Sequence, residues 1–169
     1  IGPIDSTATP MDNHIFVKGL SCYKSNAGIY GTYNLQKADV LLDAAGWVKS
    51  GTKRTKGGVE LKPKITIPAG VTTSAQEAQL MQAMLAPLGV QLEIQVVPSA
   101  DFFSKYITPG NYEMTVFTWL GTSLPISSSK SIFATDGGQN FGKIGTAEID
   151  ALFTKANSEL DPAKRCVIA

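Results

Sequence analysis

A hydroxyl-rich segment that follows an apolar strand pattern is the part of the chain best equipped to contact a ligand. The strand pattern comprises Met114, Val116, Phe117 and Trp119. No charged side chain follows before Lys130, and the intervening loop, through Ser129, is rich in glycine, threonine and serine. Such groups can hold a ligand, but they form no acid–base or nucleophile–base pair that could react with one. The segment therefore predicts binding rather than catalysis, with the ligand contacts made by Trp119, Gly121, Thr122 and Ser123.

Catalytic chemistry has little support elsewhere in the sequence. His14 is the only histidine, so a Ser-His-Asp or Cys-His arrangement would have to use it, and nothing beside it suggests an activated nucleophile. Asp39 and Asp43 have the i, i+4 spacing of one helix face, and we interpret them as the solvated side of a surface helix rather than an acid–base pair. The nucleotide-binding motifs GxxxxGKS/T and GxGxxG are absent. We therefore expect no enzyme activity, no cofactor and no bound metal.

The composition indicates an ordinary globular protein. A length of 169 residues is enough for one well-packed domain, and 43% hydrophobic with 17% charged residues is a usual balance. A net charge of +1 argues against a nucleic-acid partner, which would require a concentrated basic face. The basic residues between Lys49 and Lys64 are interrupted by glycines, so we interpret them as a solvated hairpin. No apolar run approaches the roughly 18 residues that a membrane-spanning helix needs.

The two cysteines and the chain ends suggest the context of the chain. Cys22 and Cys166 cannot complete a structural zinc site by themselves, and their spacing does not decide whether they form a disulfide. The chain starts without a signal peptide, and a helical pattern that begins at Asp161–Pro162 stops after about two turns with no cap. We therefore expect the chain to be a piece of a longer protein.

Local patterns predict the helices that position the ligand segment. Asn34 precedes a helical pattern that ends at Gly46, with Trp47 closing the helix end. Ser74 and Glu77 have the spacing of a capping box, which predicts a helix beginning at Ser74. Further helices are predicted after three capping residues, which are Ser99, Thr146 and Asp161. The aromatic residues of the Ser99 helix are interpreted as core.

Alternating apolar residues predict strands over residues 61–68 and 90–97, before the strand that ends at Trp119. In the second of these strands the inward residues are expected to be Val90, Leu92, Ile94 and Val96. Strand, helix, strand, helix, strand at this spacing predicts an α/β fold with an open, mostly parallel sheet flanked by helices. Ligands of such sheets bind beyond the carboxyl ends of the strands, where residues 119–123 fall.

The order of these motifs resembles a known family. The strings YNLQKADVLLDAAGW, LKPKITIP, LGVQLEIQVVP and YEMTVFTW resemble the C-terminal lobe of family 5 solute-binding proteins, over roughly residues 10–169. These proteins are the extracytoplasmic receptors of dipeptide, oligopeptide, nickel and some sugar ABC transporters. MDNHIFV, YGTYN and FTWLGTSLPISSSKSIF look especially like an actinobacterial branch of lipoprotein receptors.

The resemblance implies one lobe of a type II periplasmic-binding-protein clamshell. Residues 1–33 would form an extended arm packed on a lobe of residues 34–169, and the lobe would be truncated at its C-terminus. The implied partners are a peptide or small-molecule ligand, an ABC permease in the membrane and the missing N-terminal lobe of the same protein. The implied location is the cell surface, outside the membrane, with a lipid anchor on the full-length protein.

One departure from the family bears on the ligand. In peptide-binding members an aspartate three positions after the tryptophan pairs with the α-amino group of the peptide, and here that position is Thr122. A threonine offers no negative charge to offset the desolvation of an ammonium group. We therefore expect a neutral, hydroxyl-rich ligand rather than a simple peptide. The alternative is a lipoprotein that keeps the receptor fold but regulates cell-envelope glycolipid assembly through protein partners.

Overall fold

The computed structural model describes residues 6–169, which divide into two compact units. Apart from Ser6, unit 1 consists of Thr32–Thr118, and unit 2 consists of Thr7–Gly31 and Trp119–Ala169. The chain therefore passes into unit 2 at Trp119, where the predicted ligand loop begins. The arm of residues 1–33 on a lobe of residues 34–169 stays a prediction, and residues 1–5 lie outside the described residues.

Unit 1 begins with helix α1, Leu35–Ala44. The side chain of Asn34 accepts a hydrogen bond from the backbone N–H of Lys37 at 2.9 Å, and this satisfies one of the unpaired donors at the helix start. Trp47 closes the other end by donating its backbone N–H to the carbonyl of Leu42 at 2.9 Å. The predicted helix and its cap are therefore confirmed.

A three-stranded antiparallel sheet follows, with strands β1 (Val48–Ser50), β2 (Lys53–Lys56) and β3 (Val59–Glu60). Its lysines are exposed, as expected of a solvated hairpin. Arg54 contradicts that interpretation, because only 1% of it is exposed. The charge is buried because Arg54 has hydrogen-bond and ion-pair partners.

Arg54 is held by two carboxylates and two backbone carbonyls. Its Nη1 and Nη2 atoms donate to Asp43 at 2.5 Å and to Asp39 at 2.6 Å, and its Nε donates to the carbonyl of Leu88 at 2.7 Å. Nη1 also donates to the carbonyl of Trp47. The hydrogen bond to Asp43 is the main cause that raises the pKa of the guanidinium. Asp39 and Asp43 lie on the solvated side of a surface helix, as expected, with 41% and 63% of their side chains exposed, and they also form ion pairs with a buried arginine.

The parallel sheet of unit 1 has strand β4, Lys64–Pro68, at its centre. Helix α2, Thr72–Leu85, connects it to β5, Glu93–Val97. Helix α3, Ser99–Asp101, continues as a π-helix over Phe102–Ile107 and leads to β6, Met114–Thr115. The strand order β5-β4-β6 is parallel throughout, which confirms the predicted α/β class with an open sheet flanked by helices.

Two predicted helix starts in unit 1 were wrong. Helix α2 begins at Thr72 with Val71 at the N-cap, and Ser74 is a buried residue of its first turn rather than its cap. The turn at Gly70 lets the helix start earlier, and Ser74 is then only 4% exposed. Helix α3 likewise includes Ser99, because Pro98 occupies the N-cap.

The predicted orientation of the second strand was wrong at its end. Val96 is 60% exposed, whereas Val97 is 3% exposed. A parallel sheet buries both of its faces under helices, so strict alternation does not decide which residue is covered. Of the aromatic residues assigned to the core, Phe102 is buried, whereas Phe103 is about half exposed and contacts Phe117 edge to face at 5.3 Å between ring centroids.

Unit 2 contains three helices, α4 (Pro125–Phe133), α5 (Ala147–Ser158) and α6 (Pro162–Ile168). Thr146 caps α5 and Asp161 caps α6 through their side-chain oxygens, as the sequence predicted. The segment Thr7–Gly31 consists mainly of turns and contributes Phe16 and Cys22 to the core of the unit. A disulfide joins Cys22 to Cys166 and so connects this segment to α6. Within residues 6–169, no helix has both the length and the apolar character needed to cross a bilayer.

We expect Arg54→Met to destabilise unit 1 by about 2–4 kcal/mol, because the carbonyls of Leu88 and Trp47 would lose their buried donor and two carboxylates would lose their counter-ion. Urea unfolding can be followed through the fluorescence of Trp47 in a Trp119→Phe background. The matched control is Lys53→Met in the same strand, which removes an exposed ion pair with Glu60 and should cost little stability. Equal losses in both variants would contradict the role given to Arg54.

Candidate functional site

The predicted ligand residues lie in an exposed, irregular segment at the start of the second stretch of unit 2, Trp119–Ala169. Residues 119–124 belong to no helix or strand, and all six are exposed. The preceding strand, β6, ends at Thr115, so the observed strand is shorter than the apolar pattern that predicted it. The backbone amides and side chains of this segment are therefore accessible to a ligand.

Trp119 stacks on another aromatic ring and remains partly exposed. Its indole stacks on the ring of Phe141, with 6.0 Å between ring centroids and 19° between the ring planes. The residue nevertheless remains 40% exposed. An indole that is supported by a stacked ring can use its exposed area to contact an apolar or ring-shaped ligand group. Phe141 was missed by the sequence analysis, and its only signal is an aromatic residue within a glycine-rich turn.

The turn that carries Phe141 is packed tightly around Asn140. This side chain is 5% exposed, donates to the carbonyl of Ala134 at 2.9 Å and accepts from the N–H of Ile144 at 3.0 Å. A Cβ atom on Gly137 or Gly145 would lie closer than 3.0 Å to neighbouring backbone, so only glycine fits at either position. These contacts fix the backbone on both sides of Phe141 and thereby position the support for Trp119.

Asp150, in the first turn of α5, anchors the same turn. Its carboxylate accepts the backbone N–H of Thr135 at 2.8 Å and also the hydroxyl of Thr135. The hydroxyl bond is the main cause that lowers the pKa of Asp150, and the backbone bond adds to it. The carboxylate near this helix start has a partner in the turn as well as a favourable place in the helix dipole.

Gly121, Thr122 and Ser123 supply neutral hydrogen-bonding groups. The hydroxyl oxygen of Thr122 accepts the N–H of Leu124 at 3.2 Å, which leaves its O–H able to donate outward. An added Cβ on Gly121 would meet nothing within 4 Å, so the backbone there is openly accessible. The three residues carry no charge, and their chemistry suits the hydroxyls and amides of a ligand.

The predicted loop through Ser129 is shorter than expected. Pro125 starts helix α4, so Ser127, Ser128 and Ser129 are helical. Ser129 is buried, and Ser128 donates its hydroxyl to the carbonyl of Leu124 at 3.1 Å. These serines belong to the helix, and the hydroxyl-rich loop ends at Leu124.

No described residue forms a catalytic arrangement around the single histidine. The Nδ1 atom of His14 accepts the backbone N–H of Phe16 at 3.0 Å, and its ring packs beside those of Phe16 and Tyr23. The hydroxyl of Tyr23 donates to Asp12, and this bond is the main cause that raises the pKa of Tyr23. Among residues 6–169, no group of three or more His, Cys, Asp or Glu side chains is placed to hold a metal ion.

Comparison with known proteins gives a consistent result. The profile of the family described as "Bacterial extracellular solute-binding proteins, family 5 Middle" matches residues 4–141. The oligopeptide-binding protein OppA of Mycobacterium tuberculosis and that of Mycobacterium bovis are each 40% identical to the chain over 166 residues. This match covers 98% of the chain and 28% of each relative. The chain therefore spans less than a third of the length of these curated relatives.

Solved structures share the fold. The periplasmic EDTA-binding protein EppA superposes with a TM-score of 0.83 at 22% identity, over 99% of this chain and 33% of that one. A putative peptide-binding protein AppA from Clostridium difficile gives 0.76 at 27% identity, over 97% and 32%. NikZ from Campylobacter jejuni, solved in complex with Ni(L-His), gives 0.69 at 22% identity, over 81% and 28%. The fold is thus that of the type II periplasmic binding proteins.

We expect Phe141→Ala to expose the indole of Trp119, because the ring that covers one indole face is removed. In a Trp47→Phe background, the emission of Trp119 should shift to the red and its quenching by iodide should rise. Tyr30→Ala is the control, since it removes a highly exposed aromatic ring of the same unit. An unchanged quenching constant in Phe141→Ala would contradict the stacked geometry.

We also expect acid to weaken unit 2 through Asp150. Its folded pKa lies below the unfolded value of about 4, so ionised Asp150 stabilises the fold above that pH, and the contribution is lost as the pH falls through the folded pKa. Asp150→Asn should therefore lower stability near neutrality and flatten its pH dependence below about pH 4, in urea unfolding followed by Trp119. Glu148→Gln, in the same helical turn, is the control, because it leaves both hydrogen bonds between Asp150 and Thr135 in place.

Proposed function

Because the chain belongs to the family 5 extracellular solute-binding proteins, we propose that it is part of the substrate-binding component of an ABC importer. Proteins of this family are extracellular solute-binding proteins. The protein would capture a ligand by closing its lobes around it and then deliver it to a permease in the membrane.

The observation that carries the proposal is the exposed segment that follows strand β6. It presents a half-exposed indole supported by Phe141 together with neutral donors from Gly121, Thr122 and Ser123. Rigid aromatic area with a few placed hydrogen-bonding groups is typical of small-molecule sites. Trp119 would form an apolar wall against the ligand, and Thr122, Ser123 and the backbone of Gly121 would donate hydrogen bonds.

The chemistry of Thr122 narrows the ligand. The names of the matched proteins include an oligopeptide-binding protein, an EDTA-binding protein and a nickel–histidine complex, so the shared fold does not select one ligand class. The segment 119–124 contains no carboxylate that could pair with an ammonium group. We propose that the ligand presents an uncharged or hydroxyl-rich group to this segment, rather than a peptide amino terminus.

The remaining partners are part of the same proposal. The complete protein would contain a further lobe that completes the pocket, an anchor of the lipoprotein type at the cell surface and a contact with the permease. A regulatory role in cell-envelope glycolipid assembly is the alternative. The contacts described above and the comparisons contain no observation that favours it, so we do not propose it.

The proposal predicts that Trp119→Ala weakens ligand binding by at least about tenfold in the complete gene product, because a central aromatic contact is lost. Binding can be measured by isothermal titration once a ligand has been found by screening sugars, glycosides and short peptides. Unchanged affinity in a variant that unfolds at the normal temperature would remove Trp119 from the site.

A second substitution tests the missing acid. Thr122→Asp should increase affinity for peptides with a free amino terminus relative to their N-acetylated forms, because the carboxylate can pair with the ammonium group. The matched control is Thr73→Asp, which adds the same charge at an exposed position of α2 in unit 1. If both variants behave alike toward the two peptide forms, Thr122 does not face the ligand.

A further inference from the structure

A groove with both polar and apolar walls lies in unit 2 and shares Ser123 with the proposed ligand segment. It has a volume of about 290 Å³ and extends from the start of α4 to the start of α6. Phe16, Pro125 and Leu160 give it apolar walls. Polar side chains from α4, α5 and α6 line the same space, so the groove can hold a ligand that has both an apolar body and a polar group.

Two charged residues, Glu159 and Arg165, line the groove, and neither is in an ion pair within 4.0 Å among residues 6–169. The carboxylate of Glu159 accepts the backbone N–H of Asp161 at 2.8 Å. Arg165 donates from Nε to the carbonyl of Glu159 at 2.9 Å and from Nη2 to that of Leu160 at 3.4 Å. Among the ion pairs of residues 6–169 within 4.0 Å, none includes Arg165. A guanidinium has five N–H donors, so donors remain for a carboxylate.

The neutral side chains of the groove add further donors. The hydroxyl of Ser127 donates to the Oδ1 atom of Asn157 at 2.7 Å, and this bond orients the amide of Asn157. The Nδ2 group of that amide is left to donate to another acceptor. Donors from α5 and α6 thus line one groove, which also contains the carboxylate of Glu159, whose Oε1 atom accepts a backbone N–H.

We propose that this groove binds the carboxylate of the ligand, with Arg165 as its charged partner and Asn157 as a neutral donor. A fixed guanidinium matches a carboxylate in charge and in fork geometry. The inference rests on the proposed function, and it names the ligand class as one that carries a carboxylate. The segment at Thr122 has no negative charge to pair with an ammonium group, whereas the groove has the positive charge of Arg165 to pair with a carboxylate. The apolar walls accommodate a short aliphatic or similar body next to that carboxylate.

The first test titrates the 169-residue chain with hexanoate and with hexanamide, which have the same aliphatic body but differ in charge. Side-chain amide and guanidinium signals in nitrogen–proton NMR spectra report on Asn157 and Arg165 directly. We expect hexanoate to shift both signals in a saturable way and hexanamide to leave them in place. Equal shifts with the two probes would overturn the proposal.

Substitution of Arg165 gives the second test. Arg165→Gln should weaken hexanoate binding by roughly tenfold or more, as the loss of a charge-assisted hydrogen bond predicts. Lys164→Gln removes the same charge at the neighbouring position, which does not line the groove, and should change affinity less than twofold. Equal weakening in both variants would reduce the effect to net charge and overturn the proposal.

Asn157→Asp keeps the test valid if Arg165→Gln fails to fold, since Arg165 also binds two carbonyls near α6. The aspartate retains an acceptor for the hydroxyl of Ser127 and replaces the free donor with a second negative charge. It should weaken hexanoate binding, because a carboxylate at position 157 repels that of the probe. Full hexanoate affinity in a folded Asn157→Asp protein would overturn the assignment.

Two further comparisons complete the test. One distinguishes a peptide carboxyl terminus from a small free acid, and the other distinguishes failure of this proposal from failure of the proposed function. N-acetyl-leucyl-leucine that binds more tightly than both hexanoate and its own C-terminal amide would indicate a peptide carboxyl terminus, whereas tighter hexanoate would indicate a small free acid. Normal ligand binding by Trp119→Ala with weakened hexanoate binding by Arg165→Gln would reject the proposed indole contact and keep the groove. The reverse result would keep the proposed function and reject the groove.

Discussion

The burial of one guanidinium sets the arrangement of unit 1. Arg54 is 1% exposed, and a charge so far from water is tolerated only when its donors are paired. Its partners come from three places in the sequence: the exposed side of α1, the end of that helix at Trp47 and the turn at Leu88 that follows α2. The antiparallel sheet, α1 and the end of α2 are therefore held in register by a single side chain. Any shift of one element would leave a buried charge or carbonyl without its partner.

Much of the fold could be predicted from local sequence, because its signals act over a few residues. The caps at Asn34, Thr146 and Asp161 each bind an amide two or three residues away, and the order of strands and helices follows from short apolar patterns. The class of fold and the family followed from these. At Ser74 the local capping pattern did not set the helix start, since the helix begins at Thr72 and the serine is buried within its first turn.

The remaining features depend on residues that are distant in sequence. Nothing around Arg54 distinguishes it from the exposed lysines of its hairpin, since the carboxylates that bury it lie in the preceding helix. Phe141 likewise has meaning only beside Trp119, which precedes it by a whole helix. The candidate site residues could be named from sequence, but their support could not. Asn140 and Asp150 hold the turn that carries Phe141, on which Trp119 stacks, and a contact that is held in place before binding lowers the entropy lost on binding.

The division of unit 2 into Thr7–Gly31 and Trp119–Ala169 has a consequence for the order of folding. A chain made from its amino end exposes the first segment early, whereas the helices that cover Phe16 emerge only after the whole of unit 1. Unit 1 draws on one nearly continuous stretch and can close as soon as it is synthesised, because its contacts are closer in sequence. Until the helices of unit 2 have emerged, Phe16 remains an exposed apolar side chain and Cys22 a free thiol. Both residues are then accessible to chaperones and oxidants in the nascent protein.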